Sequence, residues 1–112
     1  MDRLEKVIRN TVGEQFSCIQ EGDVVISPCY LITPFGVGGL KGNGSCTEQF
    51  VQCEICFFVE TRSDAVSVAV DMANVLPEND YICTDPQIEY EKNAKSWKVI
   101  FLAEYVVERN ET

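Results

Sequence analysis

The stretch EQFVQCEICFFVE, residues 48–60, puts Val51, Cys53, Ile55, Phe57 and Val59 at every second position, with Gln52, Glu54 and Glu60 on the other parity. A period of two is the pattern of a strand whose alternate side chains enter a core. Phe50, Cys56 and Phe58 fall on the opposite parity. One buried face does not account for them, so a second layer or a neighbouring subunit is expected to cover part of the far face.

Downstream, Ser63 is placed to cap a helix running through Leu76, because its hydroxyl can accept an orphan amide of the first turn and Asp64 suits the positive N-terminus. Pro77 is expected to end it. Ala65, Ala69, Met72, Ala73 and Leu76 form the stripe that would pack on the sheet. Residues 81–84 and 87–91 read as short extended pieces broken by Asp85-Pro86, and KNAKS, residues 92–96, as a polar turn. From Trp97 both parities are apolar at the centre, Val99, Phe101 and Ala103 against Ile100 and Leu102, which suits a central strand. Trp97, Phe101 and Tyr105 read as core packing, with a subunit interface as the alternative.

Upstream, Leu4, Val7 and Ile8 recur at helical spacing among charged residues up to Val12, with Gly13 as the stop. Residues 24–33, VVISPCYLIT, read as a strand in which Pro28 implies an edge or a bulge. Residues 34–47, PFGVGGLKGNGSCT, read as a long flexible loop in which Gly42-Asn43-Gly44 supplies turns. Phe35, Val37 and Leu40 are an unusual choice for a loop that need only be soluble. The sum is one α+β domain over residues 1–112, an antiparallel or mixed sheet of about four to five strands with two helices packed on one face.

Composition narrows the function classes. Apolar residues at 46% and charged residues at 24% place the chain among globular rather than disordered sequences. Eighteen carboxylates against nine Lys and Arg give a net charge of −9, which argues against tight nucleic-acid binding. The apolar runs are much shorter than the ~20 residues of a membrane-spanning helix. Charges throughout residues 1–12 leave no signal-peptide core, so the chain is expected not to be secreted and its six cysteines to be reduced.

The motifs that carry chemistry are weak. Cys53 and Cys56 have CxxC spacing, but in a strand they diverge to opposite faces rather than converging on a metal or a redox partner. The chain has no histidine, which removes Ser-His-Asp and Cys-His catalysis. Gly36-Val37-Gly38-Gly39 lacks the remainder of a phosphate-binding loop. Asp80, Asp85, Glu89 and Glu91 lack the spacing of a calcium loop and read as solvated surface. No catalytic, metal or cofactor-binding residue is therefore expected.

The segments FVQCEICFFVETRSDAVSVAVDMANVL, residues 50–76, and SWKVIFLAEYVVE, residues 96–108, together with the N-terminal helix and the glycine-rich segment, resemble small tail-terminator, or tail-completion, proteins of tailed bacteriophages and prophages. The likeness lies in element order and texture and covers most of the chain. It implies a non-enzymatic virion component, assembled in the bacterial cytoplasm as a self-associating, often hexameric ring that caps the tail tube and meets the head connector. It also implies that Phe35, Val37, Leu40 and Lys41, with Phe50 and Phe58, are interface residues, and that the negative charge lines a channel through which DNA slides. The alternative is a small ligand-binding or regulatory α+β domain with a pocket between sheet and helix. A third class, an enzyme using Lys41 or a low-pKa cysteine as nucleophile, has no visible activating partner.

Overall fold

The computed structural model describes the backbone of residues 2–42 and 45–108 and the side chains of residues 3–34 and 52–104. The chain runs α1 (Asp2–Val12), β1 (Ser17–Ile19), β2 (Cys29–Gly42), β3 (Ser45–Val59), α2 (Arg62–Glu78), β4 (Tyr81–Cys83), β5 (Gln87–Glu91) and β6 (Ser96–Glu108). The strands form one mixed sheet in the order β1-β2-β3-β6-β4, with β5 also paired to β6. Only β1 and β2 run parallel; the other pairs are antiparallel. The fold is α+β, as expected, with six strands among the described residues rather than about four to five.

Over the described residues 52–60 the period of two does what it predicts, while the side chain of Val51 lies outside the described ones. Cys53, Ile55, Phe57 and Val59 are all buried in the main core, where they meet Tyr30 of β2 and Val99, Phe101 and Ala103 of β6. Ala65, Val68, Met72 and Leu76 of α2 and Leu4 and Ile8 of α1 close the core from above. Phe57 is its hub, with ring centroids 5.7 Å from Tyr30, 6.2 Å from Phe16 and 6.3 Å from Phe101. Both helices thus serve one face. β6 is central as read, flanked by β3 on one side and by β4 and β5 on the other.

α1 ends where expected: Gly13, at φ +91°, donates its N–H to the Arg9 carbonyl at 2.9 Å. That left-handed backbone is strained for any residue with a side chain. Arg3 then ties α1 to the far end of α2, donating to the Asn79 carbonyl at 2.8 Å and lying 5.5 Å above the Tyr81 ring.

Five expectations are corrected. The cap of α2 is Thr61, not Ser63: Thr61 has extended backbone, and its Oγ1 accepts the Asp64 N–H at 3.0 Å. α2 also continues past Leu76 to Glu78 with Pro77 inside it. The hydrogen bond that proline cannot donate would have gone to Ala73, which is exposed and can bind water instead. Val68 therefore belongs to the buried stripe and Ala73 does not. The strand expected over 24–33 begins only at Cys29. Before it, Val24 and Ile26 are 78% and 72% exposed, and the chain is a loop entered through a turn in which Asp23 accepts the Gln20 N–H at 2.8 Å.

The fifth correction is the largest. Residues 34–42 and 45–47, expected as a flexible loop, are strand: β2 pairs with β3 out to Gly42 and Ser45. The glycines do not favour this locally, but β3 extends well past the core and supplies a continuous ladder for β2 to complete. Two register shifts, at Pro34/Gly36 and Leu40/Lys41, absorb the misfit as bulges, the first leaving Phe35 as the inserted residue. The expected turn role of Asn43 and Gly44 lies outside the described residues.

Candidate functional site

Strand and helix differ in reach. β3 has 15 residues, about 50 Å of strand at ~3.3 Å per residue. The 17 residues of α2 reach about 25 Å at ~1.5 Å per residue. A layer half as long as the strands beneath it leaves the rest of the sheet as an arm, and the chain is accordingly elongated, 51 × 28 × 23 Å. The arm comprises β2 from Pro34, β3 up to Gln52 and the end of β6, with pairing between β3 and β6 continuing to Glu48 and Glu108.

Of the expected interface residues, the backbones of Phe35, Val37, Leu40, Lys41 and Phe50 all fall on this arm. Their side chains lie outside the described ones. Phe58 does not belong with them. It is 9% exposed, packed with Cys29 and Cys56 on the far face of the sheet beneath Ile19, Val25 and Ala94. The 19–28 loop and the 92–95 turn thus supply the second layer that the apolar even positions of β3 demanded. A 2.6 Å hydrogen bond between the Ser27 and Ser96 hydroxyls pins that loop down.

The sheet has two edges of different character. On the β2 side, among the described residues, β1 covers only Cys29–Leu31, so β2 is open from Ile32 to Gly42. The other edge is β4 and β5, two pieces on the same side of β6 separated by a bulge at 84–86. Pro86 has no N–H to give the ladder. Thr84 spans the break: its N–H donates to the Leu102 carbonyl at 3.0 Å and its Oγ1 accepts the Leu102 N–H at 2.9 Å. Ile82 and Tyr90 on this edge are 66% and 50% exposed.

A cleft of about 460 Å³ opens where the end of α1, the loop after it and the first turns of α2 meet. Val12, Phe16 and Val68 supply apolar lining, and Glu60, Asp64 and Asp71 add exposed carboxylates. Sequence reading missed it, because Thr11 and Phe16 stand some fifty positions from Glu60 and Asp64 and no local motif joins them.

The cysteines split as their strand spacing predicted. Cys53 enters the main core, where its thiol donates to the Ala103 carbonyl at 3.6 Å, whereas Cys56 joins the far-face cluster. Burial disfavours the thiolate at each described cysteine that shifts, pushing Cys56 up to about 12 and Cys83 up to about 11, and raising Cys18, Cys29 and Cys53. Neutral thiols are the opposite of what a cysteine nucleophile requires. Among the described residues no group of three or more Cys, Asp or Glu converges to hold a metal ion. Glu89 instead pairs with Lys98 at 2.9 Å, and that hydrogen bond is the main cause that raises the lysine's pKa. No helix among the described residues is long and apolar enough to cross a membrane.

No protein-family model matches the sequence, and no curated protein matches it at a significant level.

Proposed function

We propose that this chain is a structural assembly protein that forms a ring, the terminator of a phage or prophage tail joining tail tube to head. The observation that carries the reading is the arm: a sheet twice as long as the helix layer that backs it, ending in a strand with an open edge. Unsatisfied strand edges and faces without a layer are the ordinary substrates of protein assembly. The net charge of −9 is consistent with a channel wall that DNA passes without sticking. Light scattering on size-exclusion fractions over a wide range of protein and salt concentration tests this. A discrete ring-sized oligomer favoured by concentration and by salt supports it, since salt screens repulsion between like-charged copies. A monomer under every condition contradicts it.

The 460 Å³ cleft favours a second reading, a ligand-binding or regulatory domain, because it falls within the ~300–1,000 Å³ of small-molecule sites. A specific small molecule that raises the melting temperature, and loses that effect in Phe16→Ala, would support this reading over the first.

A further inference from the structure

Two independent features converge on one side of the sheet. The first is the open edge of β2, whose outward N–H and C=O groups have no strand beside them from Ile32 to Gly42 among the described residues. The second is charge. From Val24 to Thr47 the sequence holds no Asp or Glu and a single charged residue, Lys41, in a chain whose net charge is −9. Copies of so acidic a protein repel one another over most of their surface, and this acid-free stretch is where they can approach.

The opposite edge is complementary. Residues 80–91 carry Asp80, Asp85, Glu89 and Glu91 and no base, although Glu89 is engaged by Lys98. Ile82 and Tyr90 stand exposed there. Among the described residues, no strand pairs with the outer side of β5.

We infer that the open edge of β2 binds the β5 edge of a second copy of this chain by strand addition, so that one sheet continues from copy to copy. The backbone ladder supplies the hydrogen bonds, and an acid-free segment meets an acidic one rather than a like-charged one. Pairing opposite edges is a head-to-tail contact, which closes into a ring when the rotation between copies divides a full turn. The inference rests on the ring-forming reading and names the surface that would build the ring.

The test compares two variants carrying the same added charge. Val37→Glu with Gly39→Glu puts carboxylates on the acid-free edge; Val66→Glu with Val70→Glu puts them on exposed positions of α2. The edge variant is expected to need at least about tenfold more protein to assemble, while the helix variant assembles like the parent. Equal assembly by both overturns the inference while leaving the ring reading intact. A parent chain that never assembles overturns both. Hydrogen exchange on the unaltered protein decides the matter if the edge variant misfolds: outward amides in 32–42 and in 87–91 should slow together on assembly. Protection absent from either segment overturns the pairing.

Discussion

The half of the sheet under the helices and the half that forms the arm are made by the same three strands under opposite rules. Under α2, β3 alternates Cys53, Ile55, Phe57 and Val59 into a closed core, and every one of them is buried. In the arm, β2 is glycine-rich and carries bulges, and among the described residues no strand pairs with its outer edge from Ile32 onward. The covered half holds the interactions that fold the chain. The arm consumes backbone pairing without adding a helix-backed core. On the assembly reading proposed above, the difference separates stability from assembly within single strands.

The comparison predicts that stability is concentrated on one side. Phe57→Ala, at the hub of the aromatic cluster, is expected to cost about 3–5 kcal/mol, enough to unfold much of the population. Thermal or urea unfolding followed by circular dichroism measures it, and a loss below about 1 kcal/mol would break the comparison. Next in size is the cap. Thr61→Ala removes the acceptor of the Asp64 N–H and is expected to cost about 1 kcal/mol, with Thr61→Ser recovering most of it. Glu89→Gln, which discharges the pair with Lys98 on the sheet's surface, should cost about 0.2–1 kcal/mol, and less in high salt.

At neutral pH the smallest expected effect concerns Cys56. Burial holds its thiol at about 12 in the fold, against an ordinary value of 9.0. The folded state therefore keeps its proton more tightly than the unfolded state. The stability this contributes is complete below pH 9 and is lost as pH rises from there towards 12. In reducing buffer the melting temperature of the parent should fall more steeply above pH 9 than that of Cys56→Ala. Parallel slopes would show that the far-face cluster is more open than its burial indicates.

Much of the covered half is legible in the sequence because its physics is local. The alternation of Ile55, Phe57 and Val59, the stop at Gly13 and the central character of Val99 to Ala103 are each written in a few neighbouring residues. The cap is less legible, since Thr61 and Ser63 both offer a hydroxyl near the helix start. Asp64 as the third residue after Thr61 is the only difference in pattern. The arm is misread for a physical reason: Gly36, Gly38 and Gly39 have low strand propensity, and what makes them strand is a ladder contributed by residues 49–52. The cleft and the open edge are properties of surfaces assembled from distant segments, and no window of sequence contains them.

The division between folding and assembly can be measured in one variant. Removing residues 38–50 and joining Val37 to Val51, which pair across β2 and β3, through an Asn-Gly turn deletes most of the β2–β3 part of the arm and keeps the helix-backed core. Thermal unfolding and light scattering on that protein, side by side with the parent, measure the two properties separately. The expected result is a melting temperature within a few degrees of the parent's and a monomer at concentrations where the parent is oligomeric. A shortened chain that fails to fold, or that still assembles like the parent, would contradict the account.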